Sequence, residues 1–190
     1  MKRIDFNSPD FKGFENNEKI LLDTGIILAL ANEYDAWHNT VTDLFSNHIL
    51  TDDNDENNKA LFLFINPTIL NEITHLADRP FKQYAIKNKQ IDLSTIDPQA
   101  VVGDTVSNVK TLIENEVLLI ADGNKESAIK QIELYSILGS ADAANISIAN
   151  ELGLNFLTVD IRLSSNIYRI KNKLRKISKV YYTKNHYRTY

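Results

Sequence analysis

The sequence predicts an α/β fold built on a mostly parallel sheet. Three observations predict it. Short apolar runs at residues 19–23, 61–65, 117–120 and 155–159 are separated by stretches whose apolar positions recur at helical spacing. Local stop and start signals punctuate the alternation, among them Asn66-Pro67, Gly139-Ser140 and Gly153. The 190 residues contain no internal repeat and no linker, so the alternating elements belong to one sheet rather than to separate units.

Residues 1–18 are polar apart from aromatic anchors at Phe6, Phe11 and Phe14, and are expected to form an N-terminal arm that packs on the body through those rings. Residues 19–23 read as a buried strand, and Gly25 onward as an apolar helix. A second helix is expected over 39–50, with Val41, Leu44, Phe45 and Ile49 on one side. Residues 51–58 are almost wholly Asp, Asn and Glu, and like-charge repulsion with little apolar content makes them a solvated loop.

After the strand at 61–65, Asn66 caps a helix and Pro67 takes its first position, where a missing N–H costs nothing. That helix carries Glu72 and is expected to end near Arg79-Pro80. The region 81–115 is the least patterned and reads as an insertion, with a loop at 92–98 and a helix at 101–113. A strand at 117–120 leads to a helix at 125–138, with Ile129, Ile132 and Leu138 among its apolar positions. Gly139 breaks that helix, Ser140 caps the next over 141–152, and Gly153 terminates it. The strand at 155–159 precedes a helix at 161–170, and 177–182 is expected as a last edge strand. The organisation expected is an arm (1–18), one α/β domain (19–182) and a basic, aromatic C-terminal tail (183–190).

The balance of 43% hydrophobic and 24% charged residues is that of an ordinary soluble domain. There is no cysteine, which excludes disulfides, thiolate metal sites and cysteine nucleophiles, and fits a cytoplasmic protein. Residues 26–31 end in Ala29-Leu30-Ala31 and imitate a signal peptide, but Asp23 interrupts the run and Asp5, Asp10, Glu15 and Glu18 crowd its flank. The apolar part is far shorter than the ~18 residues of a membrane span, so no membrane association is expected.

Charge is distributed unevenly. Beyond Asp160 stand nine Lys or Arg residues and no acid, against 12 basic and 25 acidic residues up to that point. The same segment holds Tyr168, Tyr181, Tyr182, Tyr187 and Tyr190. Cations interleaved with aromatics suit a single-stranded nucleic acid, which offers phosphates to pair and bases to stack. Arg162, Arg169, Lys171, Lys173, Arg175 and Lys176 are the candidate RNA contacts; the plain alternative is a tail folded back on the acidic body.

Four carboxylates carry the chemistry. Asp23 and Asp160 close strands, while Glu72 and Asp142 lie near the starts of apolar helices. In a parallel α/β sheet those places converge on one edge. Each has an ordinary structural explanation: Asp23 and Asp160 as turn residues, Glu72 as a solvated helix residue, Asp142 as an acid favoured by the helix dipole. Four acids in one pocket repel, and a hard divalent cation such as Mg²⁺ or Mn²⁺ offsets that repulsion. A cation so held can acidify water for attack on phosphorus and stabilise the leaving oxygen. Thr24 and Thr158, each beside a strand-end acid, are candidate donors to orient the carboxylates.

Leu21-Leu22-Asp23-Thr24-Gly25, Asn71-Glu72-Ile73, Ser140-Ala141-Asp142-Ala143-Ala144 and Leu157-Thr158-Val159-Asp160 together resemble the PIN domain family over about residues 19–182. Asp35 and His38 resemble the stretch that follows the first motif in that family. The resemblance implies a Rossmann-like three-layer α/β/α sandwich and a Mg²⁺- or Mn²⁺-dependent endoribonuclease with Asp23, Glu72, Asp142 and Asp160 as metal ligands. It also implies the toxin of a VapC-like toxin–antitoxin pair, with an antitoxin partner and a homodimer.

Other readings are weaker. Asp23-Thr24-Gly25 imitates an aspartic protease loop, but a helical pattern follows it instead of strands and flaps. Glu72-Ile73-Thr74-His75 has the Glu-x-x-His spacing of di-iron bundles, yet no second pair occurs. No P-loop and no G-x-G-x-x-G supports a nucleotide cofactor. The alternatives that remain are a non-catalytic RNA- or protein-binding module and a structure-selective DNA nuclease.

Overall fold

The computed structural model describes residues 1–50 and 59–184. The expected loop at 51–58 and Tyr187, Arg188 and Tyr190 lie outside the described residues. Strands β1 (Lys2–Asp5), β2 (Glu18–Leu22), β3 (Leu61–Ile65), β4 (Leu119–Ile120), β5 (Asn155–Leu157) and β6 (Lys179–Tyr182) form one six-stranded sheet in the order β1-β6-β5-β2-β3-β4. Every pairing is parallel, so the sheet is parallel throughout rather than mostly. Ile20, Leu21 and Leu22 of the central β2 are fully buried, as a strand covered on both faces requires.

The helices are α1 (Thr24–Ala31), α2 (His38–His48), α3 (Pro67–Leu76), α4 (Arg79–Lys87), α5 (Pro98–Glu114), α6 (Lys125–Leu138), α7 (Ser140–Leu152) and α8 (Ile161–Arg169). From β2 the chain steps to β3 and β4 on one side, then returns to β5 and β6 on the other. Right-handed crossovers therefore put α1–α5 on one face and α6–α8 on the opposite face. Most packing follows that division: α1 lies against α2, α3 and α5, and α6 against α7 and α8, while α3 and α7 also meet each other across it. The strand order reverses between β2 and β5, and the carboxyl ends of two such strands are where open α/β sheets bind their ligands.

Several elements differ from expectation. The N-terminal segment does pack through Phe6 and Phe14, both buried, but its first residues also form β1, which pairs with β6. β6 is consequently an interior strand and not the edge. The sequence Lys2-Arg3-Ile4-Asp5 has too little apolar character to announce a strand; its partner supplies the order. The helix carrying Glu72 ends at Leu76, and Arg79-Pro80 begins α4, because proline fits a first turn as readily as it stops a last one. Ser140 is the first residue of α7 and makes no capping bond; Gly139, at φ 91°, occupies the cap position. Helix α6 buries Leu134 and Leu138 but leaves Ile129 and Ile132 exposed, so of its three expected apolar positions only Leu138 reaches the core.

At the amino-terminal edge of the sheet a buried polar knot ties four segments together. Glu18 accepts hydrogen bonds from the Asn155 side chain, the Tyr181 hydroxyl (2.7 Å) and the Glu15 backbone N–H (2.9 Å), and forms an ion pair with Lys179 Nζ at 3.2 Å. Tyr181 packs edge-on against Phe14 at 4.8 Å, and burial beside Glu18 pushes its hydroxyl pKa up.

Candidate active site

The acids come from two segments that follow strands, from the first turn of α7 (Asp142) and, contrary to the expectation of a helix start, from the middle of α3, where Glu72 is the sixth of ten residues. Beyond β2 the ladder continues through Asp23, whose N–H donates to Leu157 O at 2.9 Å. Asp23 then caps α1: its Oδ1 accepts from Thr24 N at 2.9 Å. Its Oδ2 accepts from Thr158 Oγ1 at 2.6 Å. Thr158, fully buried after β5, also accepts from Asp160 N at 2.9 Å, so one hydroxyl joins both strand-end acids. Thr24 departs from expectation: its hydroxyl donates at 2.6 Å to Glu72 Oε2 on α3 instead of serving its neighbour Asp23.

Asp142 stands in the first turn of α7, where the helix dipole favours an acid. Asp160 caps α8, its Oδ1 accepting from Arg162 N (2.7 Å) and Leu163 N (3.0 Å). The capping role uses one oxygen and leaves Oδ2 available, so the structural and chemical roles of this residue do not compete. A second polar bridge braces the two helices. Asn66, at the cap of α3, accepts from Ile69 N and donates Nδ2 to Asn145 Oδ1 on α7 at 2.9 Å. Both asparagines are fully buried, and Asn145 Nδ2 has no hydrogen-bond partner among the described residues.

The acids sense one another. Burial, first, and then the charges of Asp142 and Glu72 push the Asp23 pKa up to about 7, against the hydrogen bonds from Thr158 and Thr24. Burial and the charges of Glu72 and Asp160 push Asp142 up to about 6. Among the described residues no lysine or arginine forms an ion pair with any of the four. The acids also stand apart: among the described residues no three His, Asp or Glu side chains close into a compact cage. All four offer oxygen donors only, and the raised pKa values of Asp23 and Asp142 are the response of carboxyl groups that have no cationic partner among the described residues.

The basic residues are dispersed. Arg162 lines a cleft of about 300 Å³ with Asp160, Val159, Ile161 and Trp37. Helix α8 then runs from the carboxyl end of β5 back toward the start of β6, carrying Arg169, Lys171, Lys173, Arg175 and Lys176 toward the opposite edge. Lys176 reaches Glu151 there at 3.0 Å, a contact of the folded-back kind. Of the tail tyrosines, Tyr181 and Tyr182 are buried in β6, while Tyr168 is exposed with the Lys171 ammonium 4.2 Å over its ring.

Asp35 and His38 shape the turn between α1 and α2. Asp35 Oδ1 accepts from Trp37 N at 2.8 Å, and burial raises the Asp35 pKa. His38 Nδ1 lies 2.7 Å from Ala29 O, a contact that needs the proton on Nδ1. The sequence reading passes over Trp37 and the Asn66–Asn145 bridge. The signal for the first lay in its place between Asp35 and His38, and for the second in the Asp142 to Asn145 spacing of three, which puts both on one side of a helix. A larger cavity, of about 440 Å³, is lined by residues of α1, α5 and the α1–α2 turn and touches none of the four acids.

Among the described residues no helix is long and apolar enough to cross a membrane. The chain matches no protein-family model and no curated protein. Among solved structures it is similar to the crystal structure of VapBC2 from Rickettsia felis bound to a DNA fragment from their promoter, with 13% identity, a TM-score of 0.48, and coverage of 85% of this chain and 97% of that one.

Proposed function

We propose that this chain is a Mg²⁺- or Mn²⁺-dependent endoribonuclease of the PIN type, with Asp23, Glu72, Asp142 and Asp160 holding the cation. One observation carries the reading. Beside the point where strand order reverses, Asp23 and Asp142 are raised in pKa by burial and by neighbouring carboxylates, with no ion pair among the described residues to offset them. When bound, the cation supplies charge neutralisation at the phosphate and acidifies the attacking water.

The chain's own residues do the rest. Thr158 and Thr24 hold the carboxylates of Asp23 and Glu72 in place through their hydroxyls. The Asn66–Asn145 bridge holds the start of α7, with Asp142, against the start of α3, which leads to Glu72. Preference for RNA, the toxin role, an antitoxin partner and a homodimer rest on the sequence resemblance.

The test is cleavage of a labelled RNA pool with Mg²⁺ or Mn²⁺, against EDTA and Asp142→Asn controls. Metal-dependent cutting that both controls abolish is the expected result. A fully active Asp142→Asn protein would overturn the assignment. Cutting of DNA alone would move the reading to a DNA nuclease. No cutting by folded, inhibitor-free protein would favour a binding module. A small protein that co-purifies and blocks cleavage would support the toxin role.

A further inference from the structure

We propose that Trp37 and Arg162 form a nucleotide subsite beside Asp160, the indole stacking on one unpaired base and the guanidinium pairing with a phosphate. The inference rests on the nuclease reading for its substrate, but its geometry stands separately. The cleft of about 300 Å³ brings together an aromatic ring, an arginine, the apolar Ile161 and a member of the acid set. Ile161 is 40% exposed, an apolar surface next to the ring that solvent does not favour and a base would cover.

Arg162 is exposed, and its guanidinium forms no ion pair among the described residues. Asp160 lies next to it in the chain but turns its Oδ1 to the backbone N–H groups of Arg162 and Leu163. The cation is therefore left to a ligand, and a phosphate matches its fork of donors.

Trp37 is placed, not merely present. Its own N–H donates to Asp35, the next residue His38 is pinned to Ala29 O on α1, and the ring packs partly on the core. A ring held this way loses little freedom when a base stacks on it. Stacking needs an unpaired base, since both faces of a base within a duplex are already covered.

Trp37 is the only tryptophan in the chain, so its emission reports this cleft alone. The experiment titrates full-length Asp142→Asn protein, in Mg²⁺ buffer, with a short single-stranded oligoribonucleotide and with its duplex. Tryptophan emission is followed together with the anisotropy of a labelled copy. The expected result is a change in emission with the single strand and none with the duplex. Loss of a base stack corresponds to roughly a 5- to 150-fold weakening. Trp37→Leu should accordingly weaken binding about tenfold or more, and Trp37→Phe should restore most of it. Arg162→Gln, at an exposed position, should weaken binding and flatten its salt dependence.

If the oligonucleotide binds without altering emission, if Arg162→Gln binds as the parent does, or if nothing binds, the subsite is wrong. Should Trp37→Leu unfold, the Trp37→Phe and Arg162→Gln proteins still decide. Metal-dependent cleavage with silent emission would sink the subsite and leave the nuclease. A clear emission change, lost in Arg162→Gln, without cleavage would do the reverse.

Discussion

Thr158 donates its hydroxyl to Asp23 Oδ2 at 2.6 Å from a fully buried position one residue beyond β5. The bond joins the two strands that flank the switch point and opposes the rise of the Asp23 pKa. Thr158→Val keeps the shape and removes the donor. Loss of such a supporting bond costs about 10–100-fold in metal affinity or activity. The expected outcome is a fall of that size in kcat/KM for RNA, with Thr158→Ser near the parent. Initial rates against Mg²⁺ concentration check it, and a Thr158→Val enzyme with parental rates would show that the bond has no part in the site.

Metal-free protein should lose stability as pH rises through the neutral range. Asp23 titrates at about 7 in the folded chain against 3.8 ordinarily, so between those values the native state binds more protons than the unfolded state. The contribution is favourable below about pH 4 and is lost as pH climbs toward 7, on the order of 4 kcal/mol at most. Asp142, raised to about 6, acts in the same direction. Because other carboxylates slope the opposite way, the measurement is the difference in Tm between wild type and Asp23→Asn from pH 5 to 8. The variant should gain on the wild type as pH rises, and Mn²⁺ should raise the Tm of the wild type more than that of the variant. A difference that does not change with pH would contradict the charge argument.

The Asn66–Asn145 bridge should show as coupling. Asn66 both caps α3 and donates to Asn145, and burial makes an orphaned partner costly. Asn66→Ala loses a cap worth about 0.5–2 kcal/mol as well as the bridge. Asn145→Ala leaves Asn66 Nδ2 unpaired, at about 1–3 kcal/mol. A double-mutant cycle by urea unfolding should give an interaction of roughly 0.5–3 kcal/mol. Strict additivity would mean the two helices are held together by other contacts.

Much of this protein is legible locally. Asn66-Pro67 marks the start of α3, and Gly153, at φ 67°, marks the end of α7, because a cap involves only a few adjacent residues. The same locality misleads at Arg79-Pro80 and at Ser140, where one residue type serves two roles. It fails for β1, whose order comes from a strand more than 170 residues away. The candidate site divides in the same way. That Asp23 and Asp160 follow strands and cap the next helices is a local fact; that Thr24 serves Glu72, 48 positions on, is not. The basic segment shows the limit most plainly: consecutive in sequence, its cations are separated by a helix that carries all but Arg162 away from Asp160.

The sequence by itself determined the alternation of strands and helices, the oxygen-only chemistry of four acids and the absence of thiol chemistry, because periodicity, capping and composition act within a few residues. Tertiary structure alone decided the strand order, the partner of each threonine hydroxyl, the raised pKa values of Asp23 and Asp142, and the meeting of Trp37 with Arg162. Those depend on desolvation and on distances between segments far apart in the chain, which only the assembled sheet brings into contact.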